Sequence, residues 1–405
     1  PGSIPPNSKE LYEEGAAIYS ELLMEKGVFQ EDLVHKLFVE IPAQYLGCSG
    51  ARRINDNISD LKAQVAANTK GIQLVEQLVD TFTYSTILKY MIAIQNNASQ
   101  TIKEMLRKLV EHFDSNVFVG EDYMDDGSAI KLKVTLDVEN ENYVFDFSGT
   151  SPQIYGNTNA PIAITNSAII YSLRCLVGED IPLNQGCLEP ITIVVPEGSL
   201  LNPKCGAAVV GGNVLTSQRV TDVILKTLNV MADSQGDCNN FTFGSGDLTN
   251  EAGEVTKGFG YYETICGGSG GGCDSWMGSG WHGTAAVHTN MTNTRMTDVE
   301  VFERRYPVIL REFAIRRGSG GCGKYNGGDG VIRDVEFRTT VTASILSERR
   351  AIAPHGLQGG QDGQRGQNYW IKKDTNAIIN VGGKNSFNAQ PGDRFIIMTP
   401  GGGAV

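Results

Sequence analysis

No apolar run in this sequence approaches the roughly 20 residues that a membrane-spanning helix needs, and no signal peptide opens it. Positive charge is in deficit. Lys and Arg number 34 against 46 Asp and Glu, a net charge of −12, which excludes the basic footprint of non-specific nucleic-acid binding. The eight cysteines contain no C-x-x-C pair. Without a secretion signal they read as reduced thiols of a cytosolic protein. A P-loop is missing too. The nearest match, GGKNS (Gly382 to Ser386), lacks the first glycine and has Asn385 where Ser or Thr should stand. No G-x-G-x-x-G follows a strand in a βαβ unit, so the chain carries no recognisable ATP site. Its first residue is Pro1, not Met, from which we expect it to begin inside a longer protein.

Glycine is what the chain has in excess: 48 of 405 residues. The glycines form short clusters, mostly after Gly211, with neither a collagen period nor linker composition. Such clusters permit positive φ and let backbone approach backbone or ligand. Hydrophobic content is 40%, ordinary for a globular protein. The length allows two or three domains or one large fold.

Periodicity divides the chain. Ile58, Leu61, Val65, Ile72, Val75 and Val79 fit one helix face, as do Ile87, Met91, Ile94, Ala98, Ile102, Met105 and Leu109. After Gly120 the period becomes two: Ile130, Leu132, Val134 and Leu136, then Tyr143, Phe145 and Phe147, a hairpin turning at Glu139 to Asn142. A helix is predicted after Pro161, ending near Gly178. Ile191 to Val195 reads as a buried strand, and Ser217 to Met231 as another helix. From Gly258 the chain is strand-rich. The fold class is therefore α+β, a helical N-terminal region followed by mixed or antiparallel glycine-rich sheet. The expected regions are 1–118 (helical), 119–257 (hairpin and helices) and 258–405 (strands).

Candidate chemistry clusters in Gly278 to Arg295, which holds two of the five histidines, His282 and His288. Their spacing does not suit zinc. A histidine near neutrality can serve as general acid or base with one partner. On a strand, His288, Asn290 and Thr292 would share a face. The CGGSGGGCDS run (Cys266 to Ser275) offers consecutive amides that can hold a phosphate or an oxyanion, or else makes tight turns. RGSGGCGKYNGGDG (Arg317 to Gly330) reads as turns. Asn213, Asn239 and Asn240 place amides beside glycines, suited to a substrate or to capping. Cys238 and Cys266 lack an adjacent base and read as structural thiols. His35 and His112 fall within helices, and His355 reads as a turn residue.

The order of the longer motifs is more specific. PGSIPPNS, CSGARRINDNISDLKAQVAANTKGIQLV, FDFSGTSPQIYGNTNAPIAIT, RCLVGEDIPLNQGCLEPI and VVGGNVLTSQRVTDVIL follow one another. Then come QGDCNNFTFG, GYYETICGGSGGG, HTNMTNTRMTDVEVFERRYPV, RRGSGGCGKYNGGDGVIRDVEF and TPGGG. Across essentially the whole chain this resembles the hydantoinase B family, the B half of ATP-dependent 5-oxoprolinases and hydantoinases, and within it the fused eukaryotic type. The resemblance implies ATP-dependent opening of a cyclic amide, most readily 5-oxo-L-proline to L-glutamate, in the cytoplasm and within glutathione metabolism. ATP and magnesium are then expected on an A-type partner half, in an oligomer, with hydrolysis in the B half. It also implies a divalent metal in some members, held by a His-His-x-Asp segment just before PGS, hence upstream of this chain. On this reading His288, with His282, is the acid/base candidate. Asn213, Asn239, Asn240, Asn290, Asn293 and Arg295 orient substrate, and amides about Gly267 and Gly268 hold negative charge. Two other readings stand beside it: a hydantoinase or an acetone- or acetophenone-carboxylase-type subunit, and a non-catalytic scaffold docking the ATP-binding half.

Overall fold

The computed structural model describes residues 5–45, 50, 51, 53–178, 180–246, 248, 249, 255, 256 and 258–405. Pro1 to Ser3 and the Cys48-Ser49 start of the CSGARR motif lie outside them.

After short elements between Leu11 and Gln44 come two long helices, α1 (Ile54–Phe82) and α2 (Tyr84–Phe113), joined at Thr83, whose φ of 71° reverses the chain. Both predicted helical faces are present, but their fates differ. The C-terminal half of α2 buries Ala98, Ile102, Met105, Leu106 and Leu109, while α1 buries only Asn57 and Ile58. The paired helices therefore project as a hairpin from the point where α2 enters the core.

That core is closed by a four-stranded sheet: β1 (Val117–Tyr123), β2 (Ala129–Asp137), β3 (Asn142–Asp146) and, parallel to β3, β4 (Ile191–Val194). The hairpin pairs Asp137 with Asn142, so its four-residue loop is 138–141, one residue earlier than the sequence pattern suggests. Glu141 takes the left-handed turn position, φ 52°. β4 is not the buried strand expected. It lies at the sheet edge, and Thr192 and Val194 face solvent. Against the sheet packs α4 (Ser217–Thr227), and on α4 packs α3 (Ile162–Val177), opened by Pro161 and closed by left-handed Gly178. α4 stops short of the predicted Met231 because Asn229 turns left-handed at φ 54°. Ten of its eleven residues are buried, including Gln218, Arg219 and Asp222. A helix buried on all sides must satisfy its polar groups inside the protein.

The remaining chain forms two antiparallel sheets around a second, aromatic-rich cluster that includes Phe241, Phe243, Tyr261, Phe337 and Phe395. One sheet runs β6 (Phe259–Glu263), β5 (Asn240–Ser245), β9 (Val341–Leu346), β12 (Lys384–Ala389). The other runs β7 (Val308–Ile315), β8 (Val331–Phe337), β13 (Arg394–Met398), β10 (Gln367–Ile371), β11 (Ile378–Asn380). A short helix, α5 (Val299–Arg305), capped by Asp298, leads into β7. No helix among the described residues is long and apolar enough to cross a membrane.

The glycine clusters join the two halves. Segments around residues 232, 269, 284, 328, 357 and 402 run against one another and exchange backbone hydrogen bonds. Examples are Ser269 N to Thr284 O, Gly328 N to Ser269 O, Gly402 N to Gly328 O and Ala232 N to Gly271 O. Backbones this close leave no room for side chains. A Cβ on Gly268 would overlap the Gly328 carbonyl oxygen, and one on Gly402 the Ser269 carbonyl oxygen. The excess glycine is thus an excess of close approach.

Candidate active site

Two side chains of α4 hold one loop of the strand-rich half. Gln218 donates from Nε2 to the Thr289 carbonyl at 3.1 Å, and its Oε1 accepts from Met291 N–H at 3.4 Å. One turn on, Asp222 Oδ1 accepts from Asn290 Nδ2 at 3.0 Å and from Ser234 N–H at 3.2 Å. Residues four apart share a helix face, so both reach the same loop. That loop is no strand. Asn290 has φ 51°, so the shared face anticipated for His288, Asn290 and Thr292 does not form. Instead, His288 and Asn290 line one cavity of about 310 Å³ with Tyr171, Ser234, Ser269, Trp281 and Thr284.

His288 is half-buried, and burial holds its pKa below the ordinary imidazole value, favouring the neutral ring. Its Nδ1 lies 3.4 Å from Thr294 Oγ1, while Nε2 is buried with no hydrogen-bond partner. His282 is exposed, and its Nδ1 accepts from Asn326 N–H at 3.0 Å, pinning the neighbouring glycine loop. It is not among the cavity-lining residues.

The other sequence candidates scatter. Asn239 is fully buried and donates to Gln235 Oε1 and the Ile265 carbonyl; Asn240 donates to the Leu346 carbonyl and accepts from Tyr262. Both bind the fold's own groups. Asn213, Asn293 and Arg295 are exposed. The amides of 267–272 are not available to an anion. Gly267, Gly268, Ser269, Gly271 and Gly272 donate to the carbonyls of Val287, Pro400, Thr284, Gly403 and Trp281, and Gly270 donates to Ser234 Oγ. Their close packing, not a ligand, accounts for the run. Burial pushes the Cys238 thiol to about 12 and that of Cys266 to about 11, so both stay protonated, as structural thiols do. Lys384 of the GGKNS run pairs with buried Glu348 at 3.0 Å.

Sequence reasoning missed a buried charge cluster behind the cavity. Arg349, fully buried, sets one guanidinium nitrogen 2.7 Å from Asp122 Oδ2 and 2.8 Å from Asp233 Oδ2. Lys226 approaches Asp233 at 3.4 Å, Arg219 lies 3.5 Å from Glu348, and Arg350 pairs with Asp237 at 2.9 Å. Burial opposes ionisation of Asp122, but Arg349, Arg219 and Lys226 together hold it well below the usual carboxylate range. Asp222 responds the other way. Burial, reinforced by Asp233, pushes it up to about 7 against Arg349 and Arg219. His355, expected in a turn, borders this cluster with Nε2 3.6 Å from Asp122. Asp122, Asp233 and His355 bring three ligand-type atoms within 4.8 Å of one another, the one such group among the described residues. They do not fit a metal ion, because the Arg349 guanidinium already bridges the two carboxylates and Lys226 stands beside them. The signal was in the sequence as charges inside apolar patterns, SQRVTDVI and SILSERRA, where unpaired burial would cost several kcal/mol.

A profile of the hydantoinase B/oxoprolinase family matches residues 1–405. The chain belongs to this family. It is 72% identical to 5-oxoprolinase of Saccharomyces cerevisiae and 52% identical to 5-oxoprolinase 1 of Arabidopsis thaliana, each match covering all of this chain and 31% of the relative. The family region described here therefore spans about a third of the length of those relatives. Among solved structures, the ATP-dependent caprolactamase from Pseudomonas jessenii superposes with a TM-score of 0.80 at 20% identity, covering 99% of this chain and 68% of that one. At that identity the likeness is one of fold.

Proposed function

We propose that this chain supplies the hydrolytic part of an ATP-dependent cyclic amidohydrolase acting on 5-oxo-L-proline. The observation that carries the reading is the 72% identity to a 5-oxoprolinase along the entire chain. A small, mainly apolar cavity whose wall carries His288, Asn290 and Ser234 supports it, with burial favouring the neutral form of His288.

The chemistry divides naturally. An amide carbon is a poor electrophile until its oxygen becomes a leaving group. Transfer of the γ-phosphoryl from ATP to the lactam oxygen does this, and it needs nucleotide and magnesium, assigned here to an A-type partner region. ADP leaves at that step; water then adds to the activated carbon and the C–N bond breaks with a proton passing to nitrogen, leaving the phosphate ester of the side-chain carboxyl, which a second water cleaves to glutamate and phosphate. In this chain His288 exchanges the water's proton through Nδ1, the nitrogen not sealed in the interior. Asn290, held by Asp222, orients the amide. The engaged amides of 267–272 shape the wall without binding charge. A cytoplasmic setting in glutathione metabolism belongs to the same reading, as does any metal, whose ligands would come from outside this chain.

A scaffold role is the second reading, and the internal satisfaction of the glycine-loop amides favours it. One assay separates the two. The chain is combined with an A-type ATP-binding region, ATP, magnesium and 5-oxoproline, and glutamate and ADP are followed together. His288→Ala is expected to abolish glutamate formation while folding and assembly persist. Undiminished glutamate from His288→Ala would move the chemistry elsewhere and leave this chain a scaffold.

A further inference from the structure

The cavity that holds His288 and Asn290 has no charged side chain on its wall. A second cavity, of about 640 Å³, adjoins it, and Tyr171 and Cys175 of α3 line both. Helical periodicity sets this up. Ser167, Ile170, Tyr171 and Arg174 recur at i, i+3, i+4 and i+7 and turn one face of α3 to the outer cavity. Exposed Gln185 lines it too. Among the described residues Arg174 is the one charged side chain lining either cavity, and it is a cation in a chain of net charge −12. Its guanidinium is held but not spent. Nη1 donates to the Ile181 carbonyl at 2.6 Å. Nε and Nη2 donate to nothing among the described residues, and no carboxylate pairs with Arg174. That free edge is one through which a guanidinium meets a carboxylate by two parallel hydrogen bonds. Burial pushes the Cys175 thiol up, and Tyr171 and the charge of Arg174 oppose the rise, so the guanidinium stands close to the shared wall.

We propose that Arg174 binds the carboxylate of the cyclic-amide substrate from the outer cavity while the ring lies past Tyr171 and Cys175 in the inner one. The proposal deepens the hydrolytic reading and rests on it. 5-Oxo-L-proline is an anion, and a carboxylate without a partner is costly to place in a mainly apolar cavity. Its lactam carbonyl and its carboxylate stand on opposite sides of the ring nitrogen. One end can therefore face Asn290 while the other meets the free edge of Arg174. The inner cavity then selects the ring and the outer one its charge. A neutral lactam of the same ring size would fill the first and lack the anchor in the second.

Steady-state kinetics of the chain combined with an A-type ATP-binding region test this, with circular dichroism as the folding control. Arg174→Met is expected to raise the 5-oxoproline KM at least about tenfold, with kcat changed less and the ATP KM unmoved. Arg174→Lys should recover part of the loss. Gln185 is exposed, so its charge can be altered without touching the core, which keeps the test decisive if Arg174→Met unfolds. Gln185→Glu should raise the 5-oxoproline KM and Gln185→Lys lower it, opposite signs that a structural role would not produce. An unchanged KM in folded Arg174→Met would overturn the proposal, as would equal shifts in both Gln185 variants. A weaker inhibition by inorganic phosphate in Arg174→Met, with the 5-oxoproline KM unmoved, would give Arg174 to the phosphoryl group and overturn it too. A parent combination that forms no glutamate would overturn the hydrolytic reading and this proposal together, whereas an active parent with indifferent variants overturns the carboxylate assignment alone.

Discussion

Gln218 and Asp222 stand one helical turn apart on α4 and hold the same loop, Gln218 through the backbone of Thr289 and Met291 and Asp222 through the side chain of Asn290. The cavity wall is thereby fixed to the most buried helix of the protein rather than to a flexible turn. The consequences are measurable.

Asn290→Ala removes the amide but leaves His288 in place. With an A-type partner present, the 5-oxoproline KM is expected to rise about tenfold while kcat changes less, as for loss of an orienting contact. Steady-state kinetics decide it, and an unchanged KM would remove Asn290 from the site.

Asp222 gives stability a pH dependence of definite sign. Its native pKa, about 7, lies above the ordinary aspartate value, so between about pH 4 and pH 7 the native state holds a proton that the unfolded state has lost. The contribution of this group falls as pH rises through that window and is flat above it. Asp222→Asn is expected to flatten the fall, so the variant gains on the parent from pH 4.5 to 7.5 in parallel melts. A constant difference would show that Asp222 is ionised throughout.

Arg349→Met strips the cation from between Asp122 and Asp233 and leaves two buried carboxylates facing each other. A loss of about 3–5 kcal/mol is expected in urea unfolding, the usual effect of orphaning a buried pair. Asp122→Asn in the same chain should return part of it. Full stability in the single variant would mean that water or Lys226 replaces the guanidinium without cost.

Gly268→Ala places a methyl against the Gly328 carbonyl. The backbones must separate, breaking several hydrogen bonds at once, so a loss above about 3 kcal/mol or insoluble expression is expected. Gly127→Ala is the control for general glycine effects: its Cβ would meet nothing within 4 Å, although its φ of 87° adds some strain. Similar stability losses at both positions would reduce the Gly268 effect to backbone conformation.

Much of the fold was legible because it rests on periodicity. The long helices, the β2–β3 hairpin, α3 between its proline and glycine, and the strand-rich character after Gly258 all follow patterns that local physics dictates. β4 misled because an apolar run says nothing about whether a strand lies at an edge. The site was legible only in part. His288 and Asn290 could be picked out as polar residues in a glycine-rich stretch. Asn239 and Asn240 looked alike in sequence, yet their partners, Ile265 and Leu346, are distant in the chain and leave no local trace. The charge cluster was hidden for the same reason. Arg349 and Asp122 are 227 residues apart, and neither looks unusual alone.

The interlocked glycine segments carry a consequence for how the molecule is made. Residues 399–405 run through the middle of that layer, bonded to the segments near 269, 328 and 361. They are the last of those segments to be synthesised. Until they emerge, the amides of Gly268, Gly271 and Gly321 and the carbonyl of Gly328 lack the partners they have in the finished fold. The first apolar cluster, drawn mostly from residues 98–230, can condense while translation continues, but the layer joining it to the strand-rich half must wait. Assembly of this protein is therefore ordered in time, with the seam between its halves closed last and by contacts of high sequence separation, the slow kind.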